Sequence, residues 1–187
     1  KKMKIQFYYE DDINLVKKIE KFKPDVLFSF HFRKKIPNSI INIPKYGSIN
    51  SHPSILPKYA GCFSSVWALF NNEKKTGITF HYMKKKFDAG NILLQDIINI
   101  KKNDTAFSLF HKLVKLSLKN LFLAFYLIIY EKNKGKSQDM NKRTYYSRKL
   151  PNNGILNKLW SKSKKDLFYR AMHFPPIFDY HKINKKK

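Results

Sequence analysis

Cysteine is nearly absent from this sequence of 187 residues, which contains Cys62 alone. A disulfide within the chain is therefore excluded, and a single thiol fits the reducing cytoplasm in which we expect this protein to work. The six histidines do not follow the spacing of zinc ligands, so no metal site is predicted. Together these absences argue against a disulfide-stapled secreted domain and against a zinc module.

Acidic residues are also scarce, since 13 Asp and Glu oppose 38 Lys and Arg and leave a formal net charge of +25. A positive field of that size attracts polyanions such as nucleic acid, nucleotide phosphates or anionic lipid. The alternative is purely compositional, because Lys, Asn and Ile are abundant in proteins from AT-rich genomes. We favour the compositional interpretation over a dedicated nucleic-acid surface.

Long apolar runs are missing as well, although hydrophobic residues make up 43% of the chain and are sufficient for a folded core. The longest run covers residues 121–130, whereas a helix that crosses a bilayer needs roughly 20 apolar residues. We therefore predict no membrane span. A buried helix is the favoured interpretation of residues 121–130, and a helix on the membrane surface is the second.

Hydrophobic periodicity indicates alternating strands and helices along the chain. The predicted strands are 3–9, 25–30, 48–51, 77–83 and 92–100, and the predicted helices are 13–22, 37–41, 63–70, 105–130 and 164–172. This order is typical of a three-layer, mostly parallel α/β sheet. The chain becomes polar after residue 131, so we predict a main domain at 1–131 and a linker with a small C-terminal extension at 132–187.

A glycine-rich turn after the first strand, which cradles phosphate in many open α/β sheets, is not found in the sequence. Residues 1–30 already have the pattern of the second half of a Rossmann-like unit. We therefore expect an N-terminally truncated sheet, either because the leading βαβ elements were lost or because the chain is a fragment of a longer protein.

Three polar side chains form a candidate site. Asn50 and His52 are two residues apart, so they point to the same face of an extended segment, and that segment ends before Pro53 at the predicted carboxyl end of a strand. Asp88 lies in a later loop next to Gly90. An amide and an imidazole can donate to a developing oxyanion, and a carboxylate can accept the proton that an attacking amine loses. From spacing alone, the favoured interpretation is that Asn50 and His52 are a structural pair and that Asp88 belongs to an ordinary turn.

The residues around these three positions form a longer pattern. It consists of GSINSHPSILPKYAG at 47–61, WAL at 67–69, TGITFHYM at 76–83 and FDAGNI at 87–92. In this order the segments resemble the 10-formyltetrahydrofolate-dependent formyltransferases. Residues 144–149 and 153–155 resemble the segment that follows the catalytic domain in that family.

The resemblance implies a Rossmann-like formyltransferase fold, 10-formyltetrahydrofolate as co-substrate, no metal, and a catalytic domain at 1–131. It implies that Asn50 and His52 bind and polarise the formyl oxygen, while Asp88 tunes His52 and shuttles the proton. It gives His81 a structural role only. The residues expected to bind the folate are Phe30, His31, Phe32, Arg33, Tyr82, Phe87 and Gly90, and those expected to bind the acceptor are Lys58, Tyr59, Tyr145 and Tyr146.

Three functions remain open at this point. The first is N-formylation of a nucleotide-linked, dTDP-type amino deoxysugar for a surface polysaccharide, which the segment 59–61 and the pair Tyr145 and Tyr146 favour. The second is formylation of methionyl-tRNA, which the charge favours and the short C-terminal segment opposes. The third is an inactive truncated fragment that binds folate. A homodimer is also left open.

Overall fold

The computed structural model describes residues 14–32, 34–175 and 177–179. Its helices are α1 Leu15–Phe22, α2 Asn38–Ile41, α3 Ser64–Phe70, α4 Ala106–Ile129 and α5 Lys162–Ala171, and its strands are β1 Leu27–Phe30, β2 Ser48–His52, β3 Ala60–Gly61, β4 Lys75–Tyr82, β5 Ile92–Asn99, β6 Tyr145–Tyr146, β7 His173–Phe174 and β8 Phe178–Asp179. A short 3₁₀ helix covers Met140–Lys142, and Pro151–Gly154 form a turn in which Asn152 and Asn153 are left-handed. The strand predicted at 3–9 lies outside the described residues.

The predicted helices and strands that fall in the described ranges are all present, with ends shifted by one or two residues. The two-residue strands β3, β6, β7 and β8 were not predicted, because segments that short carry no periodicity. Among the described residues, no helix is both long enough and apolar enough to cross a membrane.

The central sheet has the strand order β1-β2-β4-β5. The α/β class is confirmed, but the expectation of a mostly parallel sheet is wrong for these four strands. β1 and β2 are parallel, whereas β2 pairs antiparallel with β4 and β4 pairs antiparallel with β5. Residues 83–91 connect β4 to β5 and are too few for the crossover of about a dozen residues that a parallel pair requires.

The long helix α4 packs against the sheet and supports the strand that carries the candidate site. Its buried residues recur three or four apart, which places them on one face. They include Leu109 and Leu113, which join Ile49 and Phe80 in the hydrophobic core. The hydroxyl of Ser51 on β2 also donates to Ser117 on α4, over 2.8 Å. These contacts therefore fix the position of β2 relative to α4.

The C-terminal segment packs closely against the rest of the chain. β6 pairs in parallel with β3, and α5 buries Phe168 and Ala171. The side chain of Arg170 donates from Nε to the carbonyl of Asp104, over 2.8 Å, at the start of α4. These contacts bring residues 132–179 against the main domain, while the boundary at residue 131 stays a prediction.

Candidate active site

The three predicted catalytic residues meet at one cavity. Asn50 and His52 lie on β2, near the end of the strand, and Asp88 lies in the loop between β4 and β5. Nδ1 of His52 is 3.7 Å from Oδ1 of Asp88, and the two side chains are only 5% and 11% exposed. The fold therefore brings an imidazole and a carboxylate together although they are far apart in the sequence.

His52 is oriented by the loop that follows β2. Its Nε2 lies 2.8 Å from the carbonyl oxygen of Tyr59, and a carbonyl can only accept, so Nε2 carries a proton. Full burial lowers the pKa of His52 below the ordinary value of 6.5, and the attraction of Asp88 opposes this only in part. At neutral pH His52 is therefore neutral, with the lone pair on Nδ1 facing Asp88.

Asp88 is held as a carboxylate by its surroundings. Burial alone would raise its pKa, but attraction to the rings of His52 and His81 when they carry a second proton, together with the backbone N–H of Gly61, favours the carboxylate, so the pKa lies well below its ordinary value. The Gly61 N–H donates to Oδ2 over 2.8 Å. Asp88 itself adopts a positive φ of 48°. The carboxylate is therefore ionised throughout the physiological pH range.

The Asp88 loop is also braced by the C-terminal segment. Nε2 of Gln138 donates to the carbonyl oxygens of Asp88 and Gly90, over 3.0 and 2.7 Å. The guanidinium of Arg143 donates to the carbonyl of Phe87 over 2.8 Å. A Cβ on Gly90 would stand 1.7 Å from the carbonyl oxygen of Tyr82, so glycine allows the loop to approach β4 this closely.

His81 belongs to the site, although the sequence resemblance gave it only a structural role. β2 and β4 pair so that His81 lies directly across from Asn50. Nδ1 of His81 lies 2.9 Å from the carbonyl of Tyr82, which requires a proton on Nδ1. Nε2 can then accept from the amide of Asn50, 3.3 Å away. His81 is therefore a positioning residue for Asn50, and it leaves the second amide N–H of Asn50 for a ligand.

We expect His81→Leu to lower kcat about tenfold, because the amide of Asn50 would lose a hydrogen bond that fixes its direction. His81→Gln restores an acceptor and should recover most of that loss. Steady-state kinetics of both variants check this, with KM reported separately from kcat. Equal losses in both variants would assign His81 to packing only.

The cavity has a volume of about 830 Å³, which is in the range of small-molecule sites. Of the residues predicted to bind ligands, the lining includes His31, Phe32, Phe87 and Tyr145. Residues from distant parts of the chain that were not predicted also line it, and among them are Lys35, Met83, Phe110, Ser147, Arg148 and Phe174. No sequence signal connects Phe110 on α4 with Phe174 after α5, because their meeting depends on long-range packing.

His31 offers the cavity an unused polar atom. Its Nε2 is buried and has no hydrogen-bond partner. Burial, together with the nearby His52, lowers the pKa of His31. The ring contacts Phe110, with centroids 4.8 Å apart, and the residue adopts a positive φ of 50°. A buried nitrogen without a partner in a cavity wall is a natural point for a ligand hydrogen bond.

Other predicted binding residues lie outside the lining of this cavity. These are Phe30, Lys58, Tyr59, Tyr82, Gly90 and Tyr146, and Arg33 lies outside the described residues. Phe30 packs edge-on against Phe80 in the core, and Tyr82 donates its hydroxyl to the carbonyl of Asn133. These two side chains are used for packing and for bracing the fold.

Tyr146, one of the residues expected to bind the acceptor, packs within the fold. Its ring is stacked with Tyr59 at 5.5 Å and with Trp67 at 4.4 Å. Asn71 also donates to the hydroxyls of both tyrosines. β6 presents its two side chains on opposite faces, so Tyr145 lines the cavity while Tyr146 packs against α3.

Among the described residues, no group of three His, Cys, Asp or Glu side chains is arranged to hold a metal ion. The candidate site is thus composed of an amide, two imidazoles and a carboxylate. Such a set can donate to an oxyanion and take up a proton without any side-chain nucleophile.

Comparison with known sequences identifies relatives over most of the chain. A family model described as "Formyl transferase" matches residues 3–124. GDP-perosamine N-formyltransferase from Brucella melitensis is 39% identical over 156 residues, which is 83% of this chain and 60% of the relative. The bifunctional polymyxin resistance protein ArnA from Wigglesworthia glossinidia brevipalpis is 40% identical over 96% of this chain, which spans only 28% of that protein. The chain thus spans three fifths or less of these relatives.

A solved structure shares the fold. The N-formyltransferase from Helicobacter canadensis, in complex with folinic acid and dTDP-3-aminofucose, superposes with a TM-score of 0.70 at 29% identity. The match covers 79% of this chain and 54% of that structure. The Rossmann-like α/β fold expected from the sequence is confirmed by this similarity.

Proposed function

The chain belongs to the formyl transferase family, and from that premise we propose that it transfers a formyl group from 10-formyltetrahydrofolate to the amino group of a nucleotide-linked amino sugar. The observation that carries the proposal is the meeting of Asn50, His52 and Asp88 in one cavity, with His52 and Asp88 3.7 Å apart. This set is suited to attack of an amine on a formyl carbon, which needs an oxyanion donor and a proton acceptor.

Asn50 is assigned to the oxyanion. When the amine nitrogen attacks the formyl carbon, the formyl oxygen gains negative charge, and an amide N–H stabilises that charge if it is already aimed at it. His81 holds one side of the Asn50 amide at 3.3 Å, so the amide needs no reorientation during the reaction. Collapse of the intermediate then breaks the bond between the formyl carbon and N10 of the folate. N10 takes up the proton that the amine has lost, so tetrahydrofolate is released and the formyl group stays on the amine.

His52 is assigned to the proton of the amine. The family resemblance implied that His52 polarises the formyl oxygen, but its Nε2–H is already used by the carbonyl of Tyr59. Nδ1 is therefore the ring nitrogen that is available for catalysis, and its lone pair can accept the proton that the attacking amine loses. The ionised Asp88, 3.7 Å away, then stabilises the imidazolium that results.

The donor fits the side of the cavity formed by the residues after β1 and by the loop after β4. The buried Nε2 of His31 without a partner can hydrogen-bond a polar edge of a pterin. Phe32 and Phe87 add aromatic surface, and both are about half exposed. Folinic acid in the Helicobacter canadensis structure supports a reduced folate as the donor.

We assign the acceptor to the part of the cavity that Tyr145 and Arg148 line. A nucleotide base can stack on the exposed ring of Tyr145, and a guanidinium suits a phosphate. Two relatives support this class of acceptor, one named for GDP-perosamine and one in complex with dTDP-3-aminofucose. An assay with sugar nucleotides that differ in base and sugar can identify the acceptor of this chain.

The test is an assay of the purified chain with 10-formyltetrahydrofolate and either dTDP-3-aminofucose or GDP-perosamine, followed by mass spectrometry of the sugar nucleotide. We expect a formylated product formed over many turnovers. Folate binding without transfer to either sugar would instead support the interpretation of an inactive folate-binding chain.

Tyr145→Ala should raise KM for the sugar nucleotide about tenfold, because stacking on a base contributes on the order of 1–3 kcal/mol. KM for the folate should not change, because we assign the ring of Tyr145 to the acceptor. Tyr130→Ala removes an exposed ring at the end of α4 and is the matched control. A change in the folate KM alone would contradict this placement of the acceptor.

Methionyl-tRNA is the second candidate acceptor, since the net charge of +25 favours a polyanion. Salt distinguishes the two acceptors. Binding of tRNA should weaken steeply as salt rises, because many phosphates release counterions, whereas a sugar nucleotide with two phosphates responds much less. Formylation of charged tRNA at physiological salt, with none of a sugar nucleotide, would favour this candidate.

A further inference from the structure

A second depression adjoins the cavity, and we call it the lysine groove. It has a volume of about 450 Å³ and is lined by Asn38, Ile41, Asn42, Met83, Lys84, Lys85 and Lys86. Ile41, Met83, Lys84 and Lys85 also line the main cavity, so the two spaces lie next to each other. Nothing in the chemistry proposed above uses this groove.

The charge of the groove is uniformly positive. Lys84, Lys85 and Lys86 follow one another in an exposed loop, and no carboxylate lines the groove. Among the described residues, none of the three has an ion-pair partner. Three adjacent ammonium groups repel one another, so an extended polyanion in the groove would relieve that repulsion.

The groove adjoins one side of the cavity. That side is formed by the residues after β1 and the loop after β4, which touch where Lys35 lies over the ring of Phe87 at 5.6 Å. Another part of the cavity lining comes from the residues after β3 and from the C-terminal segment, where Phe63 contacts Phe178 at 5.9 Å. A ligand that extends from the cavity into the groove therefore occupies the side assigned to the donor.

We propose that the lysine groove binds the γ-linked oligoglutamate tail of the folate donor, an inference that rests on the proposed function. A reduced folate carries its glutamate at the end opposite the pterin, and each added γ-linked glutamate contributes one carboxylate. A pterin at His31 with its tail directed outward would place this chain of carboxylates beside Lys84, Lys85 and Lys86. The groove thus selects oligoglutamylated folate over the monoglutamate.

The experiment compares 5-formyltetrahydrofolate in its monoglutamate and triglutamate forms, by isothermal titration calorimetry at low salt. We expect the triglutamate to bind about tenfold more tightly, because each exposed ion pair contributes a factor of a few. The triple variant Lys84→Gln, Lys85→Gln, Lys86→Gln should lose this advantage and bind the two folates with equal affinity. The control Lys101→Gln, Lys102→Gln, Lys115→Gln removes equal charge from exposed positions elsewhere and should keep the advantage.

Each other outcome has a definite meaning. Equal affinity of the wild type for the two folates overturns the inference and leaves the proposed function intact. If the control variant loses the triglutamate advantage as fully as the groove variant does, the effect comes from overall charge, and the inference is overturned in the same way. Weaker binding of dTDP or GDP in the groove variant, with the triglutamate advantage retained, would assign the groove to the phosphates of the acceptor and overturn the inference. No binding of either folate overturns the proposed function as well.

Discussion

Replacement of Asp88 by asparagine is expected to lower kcat for formyl transfer by about a thousandfold, within the range that one acid–base group contributes. The carboxylate is ionised at neutral pH because its pKa is held well below the ordinary value. An amide in its place cannot stabilise the imidazolium that His52 becomes when it takes the proton of the amine. The loss should therefore fall on the chemical step, and steady-state kinetics should show it in kcat with little change in KM for either substrate.

The fold should tolerate this change. The N–H of Gly61 donates to Oδ2 of Asp88, and the amide oxygen of asparagine can accept the same bond. A carboxylate with a lowered pKa stabilises the folded state above its ordinary pKa of 3.8, and that contribution is lost as pH falls through the lower folded value. Asparagine removes it at neutral pH, so we expect a loss on the order of 1–3 kcal/mol in the free energy of unfolding, with the fold retained.

Asp166→Asn is the matched control for Asp88→Asn. Asp166 is on the surface of α5, with a side chain 67% exposed and 3.9 Å from Arg170. This control should keep the wild-type kcat. Near-normal turnover by Asp88→Asn would remove Asp88 from the catalytic set, and unfolding of that variant in thermal denaturation would show a structural role instead.

The helices and strands were predictable because they are encoded locally. The buried positions of α4 repeat with helical spacing, and the strand predicted at 48–51 is bounded by Gly47 and Pro53. The direction of the strands was predicted wrongly, although the sequence contained the necessary signal. The predicted strands 77–83 and 92–100 leave too few residues for a parallel crossover, so an antiparallel pair was the consistent prediction.

The candidate site was predictable only where its parts are contiguous. Asn50 and His52 share one strand, and a family pattern connected them with Asp88. His81 was missed as part of the site because its contact with Asn50 depends on the register between β2 and β4. The stack of Tyr146 with Trp67 likewise depends on long-range pairing of β6 with β3, which no local pattern encodes.

Replacement of His52 is the second change with a large expected effect. His52→Ala should lower kcat by about a thousandfold, because it removes the lone pair that accepts the amine proton. His52→Gln is the sharper variant, since its amide N–H can still donate to the carbonyl of Tyr59 while its oxygen is a very weak base. His111→Ala removes an exposed histidine on α4 and should leave kcat unchanged.

The pH dependence gives an independent measure of the same group. Burial lowers the pKa of His52, so the neutral form should persist below pH 6.5 and the rate should decline only at lower pH. Because the pKa of His52 is lower in the folded state, the unfolded state takes up a proton first as pH falls. The stability that His52 contributes is therefore present above pH 6.5 and is lost as pH falls through the folded pKa. Denaturant unfolding across this range should show a shallower decline for His52→Gln than for the wild type.

The glutamine variant also separates the two roles that His52 could have. If His52 accepts the proton, His52→Gln should be as inactive as His52→Ala, because neither has a basic lone pair. If His52 instead donates to the formyl oxygen, as the family resemblance implied, the glutamine N–H can replace that donor and much of the rate should survive. A rate for His52→Gln near that of the wild type, with His52→Ala inactive, would overturn the assignment of His52 as the proton acceptor.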